Sequence, residues 1–316
     1  MNHLLDIQIK DAAPHIFRRP FLFVEPNTRM LQIATFLAIG PEIYIDGLIV
    51  IDDKVQRGSP IGRISSKHII SSILDFGYPD WLQKNASQIM DSFVTPLEMD
   101  SPLKRALEVF ETTRFAFIPI LAKKEERLED EEGDSLVVTA SFAIRDILPL
   151  VAKANLSTPI DDVSSQLISV DGKTSVRNVL DYMMSKSIRN IGIKEGLSGH
   201  HGDGVGGSKG SRKSKLLRVI NDRKILEFLL SHNGREIMHK NGIAGLADIN
   251  IINNVDMISL TEVKCDTTAS NAAELLMDIS NPCLILEKQG EREPHTSIVT
   301  PWDIVMKILK SDDCVT

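Results

Sequence analysis

Cysteine is scarce in this sequence, and so is any long apolar run. Only Cys265, Cys283 and Cys314 occur in 316 residues. Odd in number and far apart, they exclude a disulfide framework and a zinc knuckle. No segment approaches the ~18 consecutive apolar residues of a membrane span. The opening MNHLLDIQIKDAAP lacks the basic-then-apolar form of a signal peptide. Positive charge is in short supply too: 36 Lys and Arg against 43 Asp and Glu give a net charge of −7, with a pI near 5.7. A surface-wide nucleic-acid footprint is thereby excluded, and only a local basic patch could serve. There is no G-x-S-x-G elbow and no His/Asp cluster at metal spacing, so an enzyme is not expected. A soluble protein of a reducing, cytoplasmic setting is expected.

What is present is repetition. The chain is 42% hydrophobic, enough for two ordinary domains with full cores. Near its end it reads TSIVTPWDIVMKIL, a short β-branched strand running straight into an apolar helix. Thr300 suits the N-cap, Pro301 the first helical position, and Asp303 the positive end of the helix dipole. The same junction recurs in PIGRISSKHIISSIL, VVTASFAIRDILPLV and LLRVINDRKILEFLL. The positions matching Asp303 are His68, Asp146 and Lys224, so the four markers stand 78, 78 and 79 residues apart. Each copy also carries an earlier amphipathic helix, beginning near Thr28, Ser101, Thr174 and Thr268. In the third, Val176, Val179, Leu180, Met183 and Met184 line one face. Short β-rich strands follow each of these helices. The expected architecture is therefore an α/β (α+β) chain of four β-α-β-β-α repeats.

In VTPLEMDSPLKRALEVFETTRFAFIPI, LISVDGKTSVRNVLDYMMSKSIRNIGI and SIVTPWDIV the sequence resembles CBS domains. The resemblance covers roughly residues 20–309 and implies two tandem pairs, or Bateman modules. After an N-terminal extension, 1–19, the expected boundaries are 20–152 (repeats 20–80 and 86–152) and 157–312 (repeats 157–234 and 248–312). In that family the strand-to-helix junction takes an adenosine ligand, its Asp accepting both ribose hydroxyls and its Thr or Ser steadying a phosphate. A carboxylate accepts two hydroxyls side by side, and helix N–H groups suit a phosphate. The resemblance thus implies AMP, ADP or ATP as a regulatory ligand, with no cofactor required.

The repeats match that pattern unequally. The fourth has Thr300 and Asp303; the second keeps Asp146 with Ala143 in the hydroxyl position. The third offers Asn221 and Lys224, the first Ser65 and His68. One site in the C-terminal module is expected. Arg189, in the repeat facing Asp303 across the module, and Arg114 precede second strands and are expected to meet phosphates. Capping for the acids and solvation for the arginines are the simpler roles. The segment GLSGHHGDGVGGSKGSRKSK, 196–215, reads as a flexible loop. Its Lys209, Arg212, Lys213 and Lys215 are candidate contacts for RNA or ligand phosphates. The acidic stretch KKEERLEDEEGD, 123–134, reads as a solvated hairpin tip. The expected function is nucleotide sensing that modulates an unknown protein or RNA partner, in a homodimer. A scaffold for RNA, the ribosome or protein is the rival.

Overall fold

In a computed structural model, residues 2–39, 45–52, 58–123, 136–194, 216–287 and 296–309 are described. The segments 196–215 and 124–134, with Lys209, Arg212, Lys213 and Lys215, lie outside them. Each repeat builds its own three-stranded sheet. Unit 1 uses β1 (Phe23–Val24), β2 (Leu48–Ile51) and β3 (Pro60–Ile64); unit 2 uses β4 (Leu97–Glu98), β5 (Phe117–Lys123) and β6 (Leu136–Ala143). A short strand, β7 (Ser165–Gln166), precedes unit 3, whose own strands are β8 (Ser169–Asp171), β9 (Asn190–Lys194) and β10 (Leu216–Asn221). Unit 4 uses β11 (Glu262–Val263), β12 (Leu284–Glu287) and β13 (Thr296–Val299), and β7 joins its sheet beside β13. In every unit the first strand runs parallel to the second and the second antiparallel to the third. The parallel step requires a crossover helix, supplied by Met30–Ile39, Leu103–Thr113, Val176–Lys186 and Ala269–Met277.

Two kinds of interface join the units. Within a module the sheets face each other: Ile49 and Ile51 of unit 1 lie against Phe117 and Ala143 of unit 2, and Val219 of unit 3 joins Cys283, Ile285 and Ile298 of unit 4. Gly47 makes the first of these possible. A side chain there would place its Cβ 2.1 Å from the Phe117 ring. Between modules the helices face each other. One core unites unit 1 with unit 3, through Ile33, Leu37, Ile69 and Val179, Leu180, Ile225; the other unites unit 2 with unit 4, through Phe110, Leu148, Val151 and Ala272, Ala273, Val305. The alanines let the helix Ala269–Met277 approach Leu148–Lys153 closely. There Ser270 donates to the Val151 carbonyl at 2.8 Å and accepts the Leu156 N–H at 2.7 Å. Fully burying an aliphatic side chain contributes about 1.5–3 kcal/mol, so the two helical cores are the main bond between the modules of one chain.

The N-terminal extension is part of this packing. Ile9, Ala13 and Ile16 are buried in the core of units 2 and 4. Backbone bonds from Ile9 to Ser101, Lys10 to Met99 and Leu103 to Ile7 fasten the segment to the start of unit 2.

Candidate functional site

The recurrent junction folds as its residue types dictate. Ser65, Ala143, Asn221 and Thr300 are the N-caps of the last helix in units 1 to 4, all extended. His68, Asp146, Lys224 and Asp303 follow three residues on, in the first turn. In unit 4 the Thr300 N–H donates to Asp303 Oδ2 at 2.9 Å and the Thr300 hydroxyl to the same oxygen at 2.7 Å. The Asp303 N–H returns a bond to the Thr300 hydroxyl oxygen at 3.4 Å, which closes a reciprocal cap. Asp303 Oδ1 accepts from the Ser165 hydroxyl at 2.7 Å and lies 2.9 Å from the Lys307 ammonium. Lys307 also reaches the Val163 carbonyl at 2.7 Å. The helix continues as a π-helical turn, Ile304–Ile308, a rare geometry found mostly as single turns, often at functional sites. By register Cys283 stands opposite Thr300, and burial pushes its thiol up to about 12, so it serves as a small apolar group.

Unit 2 presents the second acid differently. Asp146 Oδ2 accepts the Ala143 N–H at 2.7 Å, repeating the cap. Arg19 then grips both carboxylate oxygens, at 2.7 and 2.8 Å, and donates to the Ser141 carbonyl at 2.6 Å. His15 adds a contact to Oδ1 at 3.0 Å. Arg19 and Ser165 occupy matching places, each four residues ahead of the strand that opens its unit, at Phe23 and Ser169. Those strands start at equivalent points of the parallel ladder, opposite Ile49 and Gly192.

Units 1 and 3 have no acid at this place. His68 Nδ1 accepts the Ser65 N–H at 3.1 Å, and its ring stacks on Phe115 with centroids 5.6 Å apart. Burial lowers the His68 pKa to about 4, with Asp91 opposing and Arg63 and Lys67 assisting. The buried Arg63 guanidinium also sits 3.4 Å from the Phe115 ring centre and pairs with Asp91 at 3.0 Å. In unit 3 the Asn221 side chain accepts the Lys224 N–H at 2.9 Å, while the Lys224 ammonium turns to Glu227 at 2.7 Å.

Of the two arginines expected to meet phosphates, one sits in an ion cluster and the other ends a helix. Arg189 pairs with Asp222 at 3.0 Å and with Asp46 at 3.6 Å. The register explains this. Asn190 pairs with Asn221, so the residue before β9 lands beside Asp222, which opens the last helix of its own unit. Asp46 comes from unit 1 across the module boundary, where Arg223 also meets it and the Ile45 carbonyl. Asp222, then Asp46, hold the Arg189 guanidinium above its ordinary pKa. Arg114 is exposed and ends the helix Leu103–Thr113 in the left-handed region, at φ 58°. Sequence reasoning passed over Arg19, His15, Ser165 and Lys307. Lys307 stands four residues after Asp303 on one helix face, a legible spacing. Arg19 and Ser165 would have emerged had the repeats been aligned a few residues further toward the N-terminus. Among the described residues no cluster of His, Cys, Asp and Glu could hold a metal, and no helix is long and apolar enough to cross a membrane.

Four β-α-β-β-α units, each ending in a strand-to-helix junction and paired through sheets, define a chain with the CBS fold in four copies. No family model and no curated protein matches the sequence. Solved structures do. Protein MJ1225 of Methanocaldococcus jannaschii, a proposed archaeal homologue of g-AMPK, aligns at 15% identity over 96% of this chain and 100% of its own, with a TM-score of 0.71. An uncharacterised conserved protein of Pyrococcus horikoshii aligns at 13% over 84% of this chain and 91% of its own, at 0.50. The CBS domain pair of MJ0100, solved with 5′-methylthioadenosine and S-adenosyl-L-methionine, covers 47% of this chain and 98% of its own at 18% identity and 0.35.

Proposed function

We propose that this chain is a non-catalytic regulatory protein in which unit 4 binds an adenosine nucleotide and thereby modulates a partner. The observation that carries this reading is the division of labour on Asp303. Its Oδ2 is committed to the helix cap, whereas Oδ1 is held only by side-chain donors, the Ser165 hydroxyl and the Lys307 ammonium. Ribose hydroxyls are donors of the same kind and can replace them. The Lys307 side chain is 41% exposed, and a pair of that sort contributes about 1 kcal/mol or less, so exchange costs little. The displaced ammonium is then free to meet a phosphate beside the helix N-terminus. Leu167, Cys283, Ile285 and Ile298 form the neighbouring apolar cluster, against which a purine ring would insert.

Such binding acts on packing because Lys307 and Asp303 tie down residues 163–165, which lead into unit 3. Unit 3 shares its helical core with unit 1 of the other module. A nucleotide that binds one arrangement of the modules 100-fold better than another shifts that equilibrium by about 2.7 kcal/mol. Titration calorimetry with AMP, ADP, ATP and S-adenosylmethionine, on the wild type and on Asp303→Ala, tests the proposal. Micromolar binding that disappears in the variant is expected. Unchanged affinity in the variant refutes the site, and binding of none of the four leaves the RNA- or protein-binding scaffold as the better reading.

A further inference from the structure

We infer that the N-terminal segment is an internal stopper for a second ligand site, in unit 2, and that Arg19 is the group that fills it. The inference rests on the proposed role of Asp303, since it assigns the same ligand chemistry to the matching carboxylate. Three observations converge on it. Asp146 repeats the geometry of Asp303, with Oδ2 on the cap N–H and Oδ1 turned to donors from the segment that precedes the opening strand of the module. The donor at that place is a small hydroxyl in one module and a guanidinium in the other. Two parallel N–H···O bonds satisfy a carboxylate as completely as two ribose hydroxyls would, so Arg19 mimics the diol.

The space that remains agrees. Beside Arg19 only about 20 Å³ is open, walled by Arg19, Pro20 and Phe21 of the segment, Asp46 and Gly47 of unit 1 and Ser141 of unit 2. That holds about one water, against the roughly 300 Å³ or more of a small-molecule pocket. The segment can release Asp146 by side-chain movement alone, because its backbone stays packed on both sides through Ile16 and Phe21. Its polar grip is concentrated in Arg19 and His15, whereas Ile9, Ala13 and Ile16 anchor it upstream. Opening the cleft requires the Arg19 side chain to swing away and His15, which sits within the anchored stretch, to turn from Asp146 Oδ1. The same cavity is walled by Asp46, which carries Arg189 and Arg223 of unit 3 across the module boundary. Removal of the stopper therefore alters the surroundings of an ion cluster that joins the two modules.

The test places Arg19→Ala in full-length protein and titrates AMP by calorimetry, alone and combined with Asp303→Ala. In the double variant, one equivalent of AMP should bind, and it should be lost again when Asp146→Ala is added. Millimolar guanidinium, compared with sodium at equal ionic strength, should compete with AMP in Arg19→Ala by refilling the vacated place, and should not do so at unit 4 of the wild type. Hydrogen exchange across Ile9–Ile16 checks that the anchor stays in place. If the wild type binds AMP but the Arg19→Ala, Asp303→Ala protein binds none, the stopper is refuted while the unit 4 site stands. If neither protein binds AMP, the reading of unit 4 fails and the inference falls with it. A loss of total binding in Arg19→Ala alone would make Arg19 a ligand contact and overturn its role as occupant.

Discussion

Asp146 and Asp303 hold the same place in their repeats, yet one is clasped by an arginine fork and the other by a hydroxyl and an ammonium. Both are buried, at 3% and 6% exposure, and both return one oxygen to the backbone N–H of the N-cap. The difference lies in the donors that complete each carboxylate. Unit 2 is met by an arginine whose rigid fork matches the carboxylate and whose Nη2 also donates to the Ser141 carbonyl. Unit 4 is met by a serine hydroxyl and by a flexible lysine half in solvent. A fold that repeats four times thus reuses one junction in two ways. The acid meets one planar, bidentate, secluded partner in unit 2 and two small or flexible partners in unit 4.

The largest expected effect separates these roles directly. Asp146→Ala strands the Arg19 guanidinium, 20% exposed, and should cost about 3 kcal/mol of unfolding free energy. Asp303→Ala frees a lysine that water can solvate and removes a cap, for about 1 kcal/mol. Denaturant unfolding of the two variants should therefore rank opposite to their effects on nucleotide affinity. Equal destabilisation would break the comparison.

Next is the pH dependence of module 1. His68 is held at about 4, below the ordinary 6.5, chiefly by burial. The unfolded chain therefore takes up a proton near pH 6.5 and the folded one only near pH 4. Stability is fully present above 6.5 and is lost as pH falls through that window, by roughly 3 kcal/mol. The acid limb of melting temperature against pH should flatten in His68→Gln. A curve of unchanged steepness would contradict the placement of His68 against Phe115.

Ser165→Arg makes unit 4 resemble unit 2. A guanidinium at that position should clasp Asp303 and weaken nucleotide binding at least 100-fold, about 2.7 kcal/mol, with little change in melting temperature. Retained affinity would show that the residue at this place does not decide access. The smallest effect belongs to unit 3, where Lys224 pairs with Glu227 three residues away on a partly exposed face. Lys224→Ala should change stability by about 0.3 kcal/mol, within the error of a denaturant midpoint. A loss above about 1 kcal/mol would mean that Lys224 has a further role.

Much of this was legible in the chain. The periodic markers His68, Asp146, Lys224 and Asp303 predicted four units, and all four are the third residue of a capped helix. The amphipathic helices lie where their apolar spacing puts them, because that periodicity is local and each face must be buried. The pairing of unit 1 with unit 3 and of unit 2 with unit 4 was not legible, since Ala272 against Val151 is a matter of shape between distant segments. The partners of Arg189 were not legible for the same reason. Asp222 is 33 residues away in sequence and Asp46 lies in the other module, so only the strand register brings the three together.

By itself, then, the sequence determined the repeat, the strand-to-helix junctions and the presence of an acid in two of them. Capping and periodicity act over three or four residues, and the side chains involved are neighbours in any conformation that forms the helix. Only the tertiary structure decided which donors reach each acid. Arg19 reaches Asp146 across 127 residues and Ser165 reaches Asp303 across 138. Those meetings depend on a segment of one unit crossing the last strand of another, which the long-range packing of the sheets alone brings about.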